Sequence, residues 1–182
     1  MFEEARLLGR TERSIALQTG RGTDIKNVVQ PEPGDAGRRR YQLLLDKFGG
    51  NWRPRRPATG IYNCAGHVWA SRRTAILEDD QWALILHEDG YRRLEEDEEP
   101  VPDDLVIYID VGPQKESFLH VGRVFQLRPG VIPASRRIPW VVSKWDSFSG
   151  EVLHDPHDVP YARQGFVVRR EYWTDRPMPA RG

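Results

Sequence analysis

The spacing of apolar residues changes once along the chain, and this change constrains the fold more than any other feature. Leu105–Val111 (LVIYIDV), Leu119–Leu127 (LHVGRVFQL), Pro139–Trp145 (PWVVSKW), the short Glu151–Leu153 and Gly165–Trp173 (GFVVRREYW) all alternate with a period of two. That spacing fits strands with one buried face. Earlier in the chain the period is helical. Tyr41, Leu44, Leu45 and Phe48 share one face of a helix over 37–48, which Gly49-Gly50 ends. A second helix is predicted over 62–73 with Asn63 as its N-cap, and a third over 79–88 ended by Gly90. Helices followed by strands on short turns predict an α+β fold, with N-terminal helices packed on one face of an antiparallel sheet.

The 182 residues fit one domain. Residues 1–35, broken by Gly20, Gly22, Pro31, Pro33 and Gly34, read as a partly ordered arm. The domain is expected over 36–175, with a flexible tail over 176–182. Asn51–Gly60, with two prolines and three arginines, reads as a loop, and LEEDEEPVPDD as a solvated acidic loop. Lys+Arg and Asp+Glu both total 27, so no net field draws the chain to nucleic acid or an anionic membrane, and neither is an expected partner. No apolar run reaches the length of a membrane span and the first residues lack a signal-peptide core, so a cytoplasmic location is expected. Delivery as an effector fits the same sequence.

The chain has one cysteine, so it can form no internal disulfide. Cys64 falls in the first turn of the second predicted helix. Unpaired N–H groups and the helix dipole there would favour the thiolate. Ala65 and Gly66 follow, leaving room for a substrate carbonyl beside the Cys64 N–H as oxyanion donor, with Asn63 or Tyr62 in support. A thiol nucleophile needs an imidazole. Of the five histidines, His120 is best placed, at the start of an alternating strand whose His120, Gly122, Val124 and Gln126 share a face.

The segment Tyr62-Asn63-Cys64-Ala65-Gly66-His67-Val68-Trp69 resembles the nucleophile helix of the bacterial NlpC-type cell-wall amidases and endopeptidases. Pro102-Asp103-Asp104-Leu105-Val106-Ile107-Tyr108 resembles that family's Pro-Gly-Asp-Leu-Val strand, and His120-Val121-Gly122-Arg123-Val124 its His-Val-Gly-Ile-Tyr strand. The three blocks occur in the family's order. Asn63 stands where the family has Asp, Asp103 where it has Gly, and His67 where it has an apolar residue. The resemblance implies a papain-like fold and a cysteine peptidase or amidase acting on a peptide or amide substrate without a cofactor. It makes Cys64 the nucleophile and His120 the base. A third residue on the next strand would orient the imidazole. Ser143 could accept its N–H, which Lys144 could not; His154 is the other candidate. His67, three residues after Cys64, is a rival base or a helix-packing histidine.

Each candidate has a plainer role. Free cysteines are commonly small buried hydrophobes. Cys64, His67 and His120 lack the second closely spaced ligand pair of a structural zinc site, so no metal is expected. His154-Asp155-Pro156-His157-Asp158 reads as a solvated turn. Departures at Asn63, Asp103 and Ser143 fit a catalytically silent binding or regulatory module on the same fold. A toxin or effector hydrolase is the third reading.

Overall fold

A computed structural model describes residues 13–112, 116–129 and 137–178, without the side chains of Ala162 and Arg163. Its elements are α1 (Asp35–Phe48), β1 (Arg53–Arg56), α2 (Cys64–Trp69), α3 (Asp79–Glu88), β2 (Arg92–Arg93), β3 (Leu105–Asp110), β4 (Ser117–Arg128), β5 (Ile138–Ser143), β6 (Glu151–His154), a 3-10 turn (Tyr161–Gln164) and β7 (Val168–Thr174). The fold is α+β. Seven strands form one sheet in the order β1-β6-β5-β4-β3-β7-β2, and every neighbouring pair is antiparallel.

Alternation along β3 divides the core. Leu105, Ile107 and Ile109 face α2 and α3, together with Val121, Ala65, Val68, Trp82 and Ile85. Val106 and Tyr108 face the other way, with Tyr41 and Phe48 of α1, Trp52, Val141, Trp145 and Val152. Helices therefore cover both faces of the sheet rather than the one face expected. The first five residues of this strand, LVIYI, are apolar and buried throughout, and burial on both sides is what such a run requires. Phe48, Trp52 and Trp145 stack in series on the α1 side, with centroids 4.2 and 5.6 Å apart.

The expected loop at 51–60 contains strand β1. All four of its residues are exposed. An edge strand needs a ladder on one side only, so Pro54 is tolerated, and its arginines discourage pairing with another chain. From residue 13 on, the arm makes packing contacts with the domain. Ile25 is buried in the α2–α3 core, Val28 bridges to Ala75, and Thr19 Oγ1 donates to Glu88 on α3 at 2.5 Å. The arm's residues 1–12 lie outside the described residues. The tail is anchored at its start by Arg176, which pairs with buried Asp104 at 2.8 Å; residues 179–182 are likewise outside. The acidic run is partly structural too, since Glu98 takes both terminal nitrogens of Arg92 at 2.6 and 2.7 Å.

Candidate functional site

Helix α2 is built by Asn63 and Gly66. Asn63 Oδ1 accepts the N–H groups of Gly66 at 2.9 Å and Ile76 at 3.1 Å, while its Nδ2 donates to the Ile76 carbonyl at 2.7 Å. An aspartate could accept the first two bonds but could not donate the third, so the amide suits this buried cap. Gly66 has a different task from the one its sequence position suggests. A Cβ there would stand 1.8 Å from the Thr74 carbonyl oxygen. The missing side chain admits the chain that leaves the helix, not a substrate. The helix also stops sooner than predicted. Ser71 and Arg72 turn left-handed at φ 49° and 66°, and the N–H groups of Ala70 and Arg72 both return to the Gly66 carbonyl. No glycine or proline marks that stop in the sequence.

Cys64 is the first residue of α2 and half-buried, packed against the α2–α3 core. Its sulfur meets the free edge of β4. Pairing with β5 begins only at Arg123, so the preceding stretch of β4 is hydrogen-bonded to β3 alone. Two backbone groups of that open edge face side chains. Tyr161 donates its hydroxyl to the Leu119 carbonyl at 3.0 Å, and the Val121 N–H is near enough to the Cys64 sulfur to favour its thiolate. Burial pushes the thiol up to about 11, against the pull of the N–H groups of Val121, Ala65 and Cys64 itself and of the Lys144 charge. Burial outweighs the helix tip here, because six residues carry only a small dipole.

His120 pairs with Tyr108 in the sheet and therefore points to the α1 side, whereas its neighbour Val121 pairs with Ile107 and points to the α2 side. The imidazole thus lies on the α1 side of β4, and His67 of α2 is still near enough to lower its pKa. Its ring stacks on Trp145 at 4.1 Å with 20° between planes. Neither ring nitrogen has a hydrogen-bond partner, sulfur included, and Ser143 Oγ has none either. The Ser143–His120 bond is thus not made, although Ser143, Gly122 and His120 lie on one face and Ser143 Oγ is 2.5 Å from where a Gly122 Cβ would be. Burial holds His120 well below the ordinary histidine value, and the nearby His154 and His67 add to the effect. His154 also packs on Trp145, tilted, with centroids 4.8 Å apart. Burial lowers it to about 4. Its Nδ1 is 2.7 Å from the Asp155 carbonyl, which can only accept, so Nδ1 carries the proton.

The remaining candidates gather around Glu151. Tyr62 donates its hydroxyl to the Glu151 carboxylate at 2.7 Å. Arg72 binds both carboxylate oxygens. His67 Nδ1 stands 3.3 Å away, within ion-pair range but outside hydrogen-bond alignment. Burial works to raise the Glu151 pKa, yet His67, Arg72 and Tyr62 together hold it well below the ordinary carboxylate range. Tyr62 and His67 are thus committed to this network. Nearby, Lys144 is fully buried and donates to the carbonyls of Thr59, Asp146 and Ser149 at 2.8, 3.0 and 2.6 Å. Burial lowers it to about 8. Glu151, Trp145, Tyr161 and Lys144 were not singled out from sequence as site residues; the one available signal was charge, a Glu and a Lys placed inside apolar strand segments.

Asp103, which occupies the resembled family's glycine position, adopts φ 76°. That left-handed turn explains a glycine preference, and aspartate is among the few other residues that tolerate it. Among the described residues no three or more His, Cys, Asp or Glu side chains are grouped to hold a metal ion, and no helix is long and apolar enough to cross a membrane. No protein-family model matches the chain, and no curated protein or solved structure is detectably similar to it.

Proposed function

We propose that the chain is a papain-like thiol hydrolase of amide-type bonds, with Cys64 as nucleophile and His120 as base, working from an uncharged resting pair. The carrying observation is the open stretch of β4. Three consecutive residues there present a carbonyl to Tyr161, an imidazole with two unbonded nitrogens, and an N–H near the Cys64 sulfur. Buried imidazole nitrogens without partners cost stability, and such groups are characteristic of reactive sites. With a thiol near 11 and a neutral imidazole, the proton leaves sulfur only as the C–S bond forms. His120 accepts that proton and returns it to the leaving amine, and water then cleaves the thioester. The Cys64 N–H at the helix start, with the Ala65 N–H beside it, stabilises the oxyanion in this reading. The thiol–imidazole hydrogen bond forms as substrate closes the site, as catalytic bonds in free enzymes commonly do. Trp145, rather than Ser143, orients the ring.

A second reading has its own support. The absent Cys64–His120 bond and the raised thiol suit a binding module with a silent centre. p-Nitrophenyl acetate separates the two. The hydrolase reading expects acetylation of Cys64, seen by intact mass, to slow about a hundredfold in His120→Ala. Acetylation that is indifferent to His120→Ala would leave the binding module as the better account.

A further inference from the structure

A cleft of about 730 Å³ lies apart from Cys64, between the C-terminal end of α2, strand β1 and the bulged middle of β4. Arg55, Arg56, Arg72 and Arg123 line it, with Glu151 and Asp103 as the only carboxylates among its lining residues. Four guanidinium groups against two carboxylates leave a surplus of two positive charges. The arginines come from three directions: β1, the left-handed turn after α2, and β4. Glu151, only 3% exposed, fixes Arg72 through Nε and Nη2 and lies 3.6 Å from Arg56 Nε. Arg123 is fixed by the Val68 carbonyl at 2.6 Å and by Asp103 at 3.3 Å. Arg55 lies over the ring of Phe125 at 4.4 Å, and that ring is 42% exposed. A guanidinium has five donors, so anchors of this kind leave donors on each group for another acceptor. The cleft also contains His67, whose side chain is 2% exposed and whose Nε2 has no partner.

We infer that this cleft is a binding site for the phosphate group of a small organic phosphate ester. A tetrahedral dianion matches both the surplus charge and the approach of guanidinium groups from three directions, whereas a planar carboxylate engages one fork at a time. Arg72 and Arg56 meet two phosphate oxygens and Arg123 meets the third. The exposed face of Phe125 with Arg55 gives a flat organic group a surface to stack on. The volume is that of a small-molecule site. The inference does not depend on Cys64 chemistry.

Calorimetry on the full chain at matched ionic strength tests it, with AMP, pyrophosphate and citrate as probes. AMP and pyrophosphate should bind saturably at one site, and citrate at least about tenfold more weakly. Arg55→Gln and Arg123→Gln should each weaken AMP about tenfold, the loss expected of one charge-assisted contact. Arg55→Gln touches only an exposed ring, so its circular dichroism and melting temperature should match those of the parent; Arg39→Gln on α1 is the control and should bind as the parent does. Absence of saturation with both phosphate probes would overturn the inference. So would citrate binding as tightly as AMP, or AMP affinity unchanged in Arg55→Gln and Arg123→Gln.

Discussion

Alkylation of Cys64 by iodoacetamide gives a direct reading of the site's electrostatics, because any adduct is on the only thiol in the chain. Burial moves that thiol from 9.0 up to about 11. Below both values the folded chain then carries roughly a hundredth of the thiolate of an unperturbed cysteine. A more basic thiolate is also the better nucleophile, with a Brønsted slope near 0.4–0.5, which returns roughly a factor of ten. The folded protein should therefore react about tenfold more slowly than the urea-unfolded chain at the same pH. Steric shielding lowers the whole curve but does not move its bend. The folded rate should rise about tenfold per pH unit with no plateau below about pH 10, while the unfolded chain bends near 9. The assay is intact-mass alkylation from about pH 6 upward. A bend in the folded protein below pH 9, or alkylation faster than in urea, would mean that the helix tip prevails over burial, and the uncharged resting pair would be wrong.

Three stability measurements follow from the same site. Gly66→Ala drives a methyl group into the Thr74 carbonyl and should cost at least about 2 kcal/mol by urea unfolding, since backbone on both sides must shift; a loss under about 0.5 kcal/mol would show that the loop yields freely. Asn63→Ala removes a cap and strands buried groups of Ile76, for about 2–3 kcal/mol, and Asn63→Asp, which keeps the cap but loses the donor, should cost less than Asn63→Ala but still about 1 kcal/mol. His154 is held neutral in the fold, so the unfolded chain binds more protons between about 4 and 6.5. Stability should rise with pH across that window by up to about 1.4 kcal/mol per unit from His154, and His120 adds a similar slope. His154→Gln should remove about half of the slope; an unchanged slope would mean that the imidazole is already solvated.

Strand and helix periods were legible wherever packing follows the local pattern. Helix α3 was predicted over the range it occupies, and β3, β4 and β6 lie within one or two residues of their predicted bounds. Strand β1 was not legible because its stability comes from β6, a hundred residues away, and an edge position accepts the prolines and arginines that ordinarily signal a loop. The early end of α2 depends on two left-handed residues without a glycine. Cys64 at a helix start and His120 on a strand could both be read from spacing. Which side of the sheet His120 faces depends on the β3–β4 register, which one-residue alternation cannot specify. The Glu151 network joins residues 62, 67, 72 and 151, and nothing local announces it.

Lys144 works as a three-way clasp. Its ammonium ties the approach to α2, through Thr59, to both ends of the turn between β5 and β6, through Asp146 and Ser149. The segment that delivers the cysteine and the segment that carries Trp145 therefore cannot drift apart without breaking the same knot. Any opening of this part of the molecule has to move them as one piece, and loosening the turn would be felt at the thiol even though no covalent link runs between the two.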